Sequence, residues 1–289
     1  MQTITTISEL RNAVRPLQRA GKSVGVVPTM GAFHEGHLTL MREARAGNDV
    51  VIVTLFVNPT QFNDADDFER YPRDLDRDAR MAADVGVDFL FTPSPQEMYA
   101  KDFDTVVVVR GLTDRLEGKS RPGHFQGVAT VVTKLLNIAG ADRAYFGQKD
   151  WQQLQVINRL VADLNIPTEI VAVPIVREPD GLAMSSRNVL LTPEHRAAAK
   201  VLSSALEDTQ AIADTGVNDA YQLGAWLRQT IEVQPLAKVD YAIVVDPESL
   251  QETDTIENGG IALVAATFGK VRLIDNRLLH SLGGPGLRR

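Results

Sequence analysis

The chain of 289 residues contains no cysteine, which excludes disulfides, thiolate metal sites and cysteine nucleophiles and fits a reducing compartment. It has no run near the roughly 18 consecutive apolar residues that a membrane-spanning helix needs, so no membrane partner is expected. Residues Met1–Leu10 lack a basic stretch followed by an apolar segment and a cleavage site, and a cytoplasmic location is the expectation. Positive charge is also short: 30 Lys and Arg against 37 Asp and Glu leave a net charge of −7. That is the wrong sign for a surface that neutralises many phosphates, so no nucleic-acid partner is expected. A small anionic ligand stays open, because a local cluster of Lys, Arg and His in a cleft does not register in net charge. Internal repeats and low-complexity segments are missing too.

What is present has the balance of an ordinary globular protein, with 44% hydrophobic and 23% charged residues. The length exceeds the roughly 250 residues that one core usually serves, and two domains are expected. Residues 1–176 alternate apolar β-branched runs with amphipathic stretches, the pattern of βαβ units. Strands are read at Val24–Val27, Val50–Val57, Val87–Phe91, Thr105–Val109, Arg143–Gly147 and Glu169–Val176. Helices are read at Ser8–Ala20, along Leu75, Ala79, Ala82 and Val85 up to Gly86, and along Val128, Val131, Leu135 and Ile138 up to Gly140. The fold class expected is α/β, a Rossmann-like doubly wound parallel sheet. At residues 177–289 the pattern changes to a smaller α+β lid domain, with a helix start at Thr192-Pro193. Its expected elements are helical stretches Pro193–Ala213 and Asn218–Ile231, strands Val239–Val245, Ile261–Phe268 and Val271–Ile274, and a frayed tail at Gly283–Arg289.

Two partial motifs fail on context. Gly21-Lys22-Ser23 ends like a phosphate-binding loop, but Pro16 stands where its first glycine belongs. Gly21–Gly25 spells a nucleophile elbow, yet it leads into a strand and not into a helix. The constellation that survives lies at four strand ends. The strand from Val24 runs through Pro28-Thr29-Met30-Gly31-Ala32-Phe33 into His34-Glu35-Gly36-His37, where a helix begins near Glu35. A helix start with unpaired N–H groups and two imidazoles suits phosphate. The spacing is wrong for helical zinc ligands and no third ligand is evident. The other ends are Asn58-Pro59-Thr60-Gln61, Gln148-Lys149-Asp150-Trp151-Gln152-Gln153 and, beyond Val176, Met184-Ser185-Ser186-Arg187. Ligands of open α/β sheets bind outside the carboxyl ends of strands, so these segments are expected to meet at one crevice. Plainer roles exist for some of them. Asp150 and Gln153 form a possible capping box, Arg121-Pro122-Gly123-His124 a turn, and Asp76 and Asp78 a solvated helix face in preference to metal ligands.

His34–His37 is similar to the HIGH signature of the nucleotidylyltransferase superfamily, and Met184–Arg187 to its KMSKS-type second loop. With Pro28–Ala32, Phe56–Phe62, Arg121–Phe125, Phe146–Asp150 and Gly181–Asn188, the chain resembles the pantothenate synthetase family over about residues 1–280. The resemblance implies condensation of pantoate with β-alanine through a pantoyl adenylate, with ATP cleaved to AMP and pyrophosphate, Mg²⁺ without assigned ligands, and a homodimer. It implies ATP contacts at Met30, Gly31, Ala32, Phe33, His34, Glu35, Gly36, His37, Gly147, Gln148, Lys149, Asp150, Val176, Met184, Ser185, Ser186 and Arg187. Pantoate contacts fall on Gln61 and Gln153, with Gln61 also touching β-alanine, and Arg121 is a further substrate-binding residue. The implied catalytic group is His37, a proton donor, with His34, Lys149, Ser185, Ser186 and Arg187. The chain departs from the family at Gln148, where glutamate is expected, and at Gln126, where arginine is common. A nucleotidylyltransferase acting on a phosphate-bearing acceptor is the alternative, but the neutral amides of Gln61 and Gln153 suit a hydroxy acid better than a phosphate. The adenylate needs shelter from water, so closure of the second domain and of the Met184–Arg187 loop is expected.

Overall fold

Runs that are apolar on both faces are buried on both faces, and here they become one parallel sheet. In chain order the elements are β1 (Gln2–Ile4), α1 (Ile7–Arg19), β2 (Val24–Thr29), α2 (Glu35–Gly47), β3 (Val50–Leu55), α3 (Ala65–Arg70), α4 (Leu75–Asp84) and β4 (Phe89–Phe91). Then come α5 (Pro95–Met98), α6 (Glu117–Ser120), α7 (His124–Ala139), β5 (Arg143–Gly147), α8 (Trp151–Asp163) and β6 (Glu169–Val173). The six strands lie in the order β1-β4-β3-β2-β5-β6, all parallel, which is the doubly wound arrangement that the alternating pattern predicts. The computed structural model describes residues 1–63 and 65–281; the tail expected at Gly283–Arg289 lies outside them.

Period-2 alternation sends Val27, Val51 and Val53 to one face, where Met41 and Ala44 of α2 and Ala82 of α4 close over them. Val26, Ile52 and Ala144 point the other way and are fully buried. On that side α7 packs against β2, with α1 beside it. The capping box at Thr6 and Glu9 starts α1, and Gly140 in the left-handed region stops α7.

The chain divides into two compact units, one of Met1–Gln148 with Gln152–Pro174 and a second of Lys149–Trp151 with the chain from Ile175 onward. The second unit contains α9 (Pro193–Ala199), α10 (Val201–Ala213), α11 (Ala220–Glu232), β7 (Ala237–Val245), β8 (Gly260–Phe268) and β9 (Val271–Leu279). Its strands form an antiparallel meander in the order β7-β8-β9. Leu202, Leu206, Leu223 and Leu227 of its helices pack on Val244, Val264 and Leu273.

Three expectations need correction. Thr105–Val109 forms no strand and joins no sheet: the Val107 N–H donates to Thr130 Oγ1 of α7 at 3.0 Å, so its alternation reflects packing on a helix and not strand pairing. Pro193–Ala213 is two helices meeting at Lys200. The strand read at Val271–Ile274 continues to Leu279, because it stays paired with β8 as far as Gly260 opposite Leu279.

Helix α7 carries Gly127 against the turn Pro59–Gln61, where a Cβ would overlap the Thr60 carbonyl. Gly127→Ala is expected to cost about 1–3 kcal/mol of stability as an overpacked contact, read as a lowered urea midpoint; an unchanged midpoint would show that the turn can yield.

Candidate functional site

The strand order reverses between β2 and β5, and a proline opens the sheet there. The carbonyls of Ser23 and Thr29 accept from Val50 and Phe56 on the β3 side, whereas the Val24 carbonyl accepts from Asp142 on the β5 side. Alternation therefore turns Pro28 toward β5 with no N–H to give. The β2–β5 ladder pairs Gly25 with Arg143 and Val26 with Ala144. Past it the carboxyl ends of the two strands flank the switch point where open sheets bind ligands. Met30 follows one strand and Gln148 the other, and a Cβ at Gly147, the last residue of β5, would meet nothing within 4 Å.

After β2 the backbone turns through left-handed conformations at Gly31 (φ +83°) and Ala32 (φ +53°). For alanine that conformation costs roughly 1–2 kcal/mol. Asp78 offsets it. Its carboxylate accepts from Ala32 N at 2.7 Å and Phe33 N at 2.9 Å, and hydrogen bonds to a charged group contribute about 1.5–3 kcal/mol each. Arg77 closes the clamp by donating to the Phe33 carbonyl at 3.1 Å, with its guanidinium 3.7 Å from Asp78. The solvated helix face expected for Asp76 and Asp78 therefore holds only for Asp76. Asp78 is 1% exposed, whereas Leu75, assigned to the packed face by spacing, is 46% exposed. The backbone N–H groups of the loop select the carboxylate for the inside.

The two histidines cap the helix that they begin. His34 Nδ1 accepts from Gly36 N at 3.2 Å and His37 Nδ1 accepts from His34 N at 3.4 Å, a capping box built from imidazoles, with ring centroids 4.1 Å apart. An Nδ1 that accepts has no proton, so in each neutral ring the proton sits on Nε2. Glu35 at the first position pairs with Arg42. Gly36 is required because a Cβ there would come 2.9 Å from the His34 ring.

Gln61 is buried at the end of the 3-10 turn Pro59–Gln61 and meets Met30: its Nε2 donates to Sδ at 2.9 Å. Asn58 Nδ2 donates to Gln61 Oε1 at 3.1 Å, and Asn58 Oδ1 accepts from the Tyr99 hydroxyl at 2.8 Å. Burial raises the Tyr99 phenol above its ordinary pKa, against a smaller opposing effect of Thr60. The Gln61 carbonyl faces His124 Nδ1 at 2.8 Å and Arg121 Nη2 at 3.4 Å, so Arg121 engages the turn itself. Gly123 (φ +81°) makes the expected turn before α7. Gln153 lies half-buried on α8. Its neighbour Gln152 is buried and bonds to Leu112 and Arg115 of the segment before α6 and to Glu117 at its start.

In the second unit, Asn276 Nδ2 donates to the Lys149 carbonyl at 2.9 Å and the Trp151 indole donates to the Pro247 carbonyl at 2.8 Å. Lys149 Nζ lies 3.9 Å from Asp150, which sits in the 3-10 turn Gln148–Asp150. Val176 and Met184 are joined by a backbone bond of 2.9 Å across a short loop. Arg177 grips the buried Asp275 with two bonds of 2.7 and 3.0 Å. Glu178 takes Asn188 Nδ2 on one oxygen and Arg196 on the other, each at 2.6 Å. Burial alone would raise the Glu178 carboxyl, but these donors outweigh it and hold it below its usual value. The loop is thereby braced on both sides of Ser185, Ser186 and Arg187. Sequence reasoning missed Glu178, Arg196 and Asp275, whose partners lie elsewhere in the chain, and read Asp78 as part of a solvated face; Asn58 was in view within the Asn58–Gln61 segment and His124 as part of a turn.

Asp78→Asn keeps the shape but offers at most one acceptor to the two loop N–H groups. It is expected to lower stability by about 1–3 kcal/mol and to shift the amide resonances of Ala32, Phe33 and Gly36; an unchanged spectrum and urea midpoint would remove the clamp.

The geometry agrees with what the chain is similar to. A profile of the pantoate-β-alanine ligase family matches residues 2–278. The pantothenate synthetase of Heliobacterium modesticaldum is 52% identical over 97% of this chain and 100% of its own length. That of Pelotomaculum thermopropionicum is 51% identical over 98% of this chain and 100% of its own. The crystal structure of pantothenate synthetase from Thermus thermophilus superposes with a TM-score of 0.91 at 46% identity, covering 96% of this chain and 99% of that one. A pantoate-β-alanine ligase from Francisella tularensis, complexed with beta-gamma ATP and β-alanine, gives 0.79 at 37% identity over 96% and 97% of the two chains. Since likeness of this order runs through the clamped histidine helix, the Gln61 turn and the second unit alike, the chain belongs to the pantoate-β-alanine ligase family.

Proposed function

We propose that the chain joins pantoate to β-alanine, activating the acid with ATP as a pantoyl adenylate and releasing pyrophosphate and then AMP. Family membership supports the overall reaction, and the Francisella relative's complex with beta-gamma ATP and β-alanine supports the substrates. The observation that carries the reading is the contact between Gln61 and Met30, because it sets a neutral amide pocket against a helix start made for anions. An anionic nucleotide and an uncharged polyol group are the ligands such a pair accommodates.

In the first step a carboxylate oxygen of pantoate attacks the α-phosphorus. The bond from phosphorus to the bridging oxygen breaks, and its electron pair leaves with pyrophosphate. The Nε2–H groups of His34 and His37 and the N–H groups at the start of α2 take phosphate oxygens, with Met30, Gly31, Ala32, Phe33, Glu35 and Gly36 shaping that wall. Lys149, Ser185, Ser186 and Arg187 bring positive charge and hydroxyls to the departing pyrophosphate, where charge develops and preorganised donors act most strongly. Gly147, Gln148, Asp150, Val176 and Met184 line the nucleotide. Gln61 and Gln153 hold pantoate, and Arg121 acts through the Gln61 turn. In the second step the β-alanine amine attacks the acyl carbon and loses a proton, and AMP leaves with the electrons of the acyl–oxygen bond. Closure over the adenylate excludes water. Among the described residues no three His, Asp or Glu converge on a metal, and Asp78 is taken by backbone N–H groups. Mg²⁺ would enter with ATP and neutralise part of the charge of its phosphates, and no step here is routed through it. A homodimer in the cytoplasm completes the proposal, on the strength of the resemblance.

Labelled pyrophosphate is expected to enter ATP when Mg²⁺ and pantoate are present and β-alanine is absent; no pantoate-dependent exchange, with ATP still bound, would favour transfer of the nucleotide to a phosphate-bearing acceptor. Lys149→Ala is expected to lower kcat about 100-fold or more, as loss of one transition-state donor does, with thermal stability unchanged. Near-normal turnover would strip Lys149 of its role.

A further inference from the structure

We infer that His124 is a positioning residue for the acid pocket, a buried neutral imidazole that aims Gln61 by holding its carbonyl while Arg121 holds the imidazole. The inference rests on the reading that Gln61 contacts pantoate.

Hydrogen-bond chemistry leaves one assignment. His124 is 7% exposed and its Nδ1 lies 2.8 Å from the Gln61 carbonyl oxygen, which accepts only, so Nδ1 carries a proton. Arg121 Nη1 lies 3.2 Å from His124 Nε2, and a guanidinium donates only, so Nε2 is the acceptor. The ring is thus the neutral Nδ1–H tautomer, opposite to His34 and His37. Arg121 Nη2 also reaches the Gln61 carbonyl at 3.4 Å, which closes a triangle of three groups.

Gln61 is held at both ends. Its carbonyl is fixed by this triangle, and its side chain by Asn58 on Oε1 and Met30 on Nε2. A primary amide offers two donors and two acceptor positions, so the side chain retains capacity for a ligand. The turn does not need His124 to exist: Asn58 caps it, and the Phe62 N–H returns to the Pro59 carbonyl at 3.3 Å. Removal of the imidazole therefore loosens the aim of the amide more than the fold.

Steady-state kinetics of the full chain separate this role from a merely structural one. Asparagine places an N–H where His124 Nδ1 donates; glutamine reaches the Nε2 position and leaves the Gln61 carbonyl without that donor. In His124→Ala and His124→Gln the KM for pantoate is expected to rise about tenfold, the worth of one buried hydrogen bond, with the KM for ATP unchanged. His124→Asn is expected to recover most of that loss. Equal pantoate KM values in the Asn and Gln variants, or a KM for ATP that rises in step, would overturn the inference. The Asn–Gln pair carries the test if the Ala variant does not fold. Gln61→Ala, measured alongside, is expected to raise the KM for pantoate. No change there would overturn the pocket reading itself, whereas a rise there with no change in His124→Gln would overturn the role of His124 alone.

Discussion

The clamp of Asp78 on the loop after β2 is the constraint on which the nucleotide side of the first unit depends. The loop turns through left-handed backbone at an alanine and leads directly into the cap of α2. Without a fixed acceptor, the two N–H groups of Ala32 and Phe33 would be buried and unpaired, a state that costs more than the strain itself. Because Asp78 satisfies both, Phe33 stays buried beneath His37 and the imidazole capping box forms. The tautomers of His34 and His37 are consequences of that box. The chain from a remote carboxylate to the proton on Nε2 runs through the hydrogen bonds of the clamp and of the cap, joined by the backbone between Phe33 and His34 and by the packing of Phe33 on His37.

The same device recurs wherever the chain must hold an irregular segment. The turn at Gln61 is held by Asn58 from within and by His124 and Arg121 from α7 and its approach. In the second unit the segment around Ser185–Arg187 is braced by Glu178, Arg196 and Asn188, and its entrance by Arg177 on buried Asp275. The braces at Asp78, Glu178 and Asp275 use a charged partner, stronger than a neutral pair, to fix backbone that no ladder or helix fixes. Regular structure supplies the frame, and long-range polar contacts supply the aim.

Much of this was legible in the sequence. The parallel sheet followed from β-branched runs alternating with amphipathic helices, and the helix start near Glu35 from apolar Leu38 and Met41. Where the reading failed, a nonlocal partner had overruled local pattern. Thr105–Val109 looks like a strand and packs on α7 through Thr130. Leu75 fits an apolar stripe and is exposed, while Asp78 breaks the stripe and is buried, because two loop N–H groups from another part of the chain end there.

By itself, then, the sequence determined the α/β class of the first unit, the α+β class of the second and the contiguous motifs that carry the family likeness. Those properties are set by periodicity, turn residues and short spacings, all of which act within a few residues. The tertiary structure alone decided which carboxylate is buried, which nitrogen of His34, His37 and His124 bears the proton, and that Gln61 and Met30 touch. A charge is stable inside only where distant donors meet it, and a tautomer is fixed only by the partner across the bond.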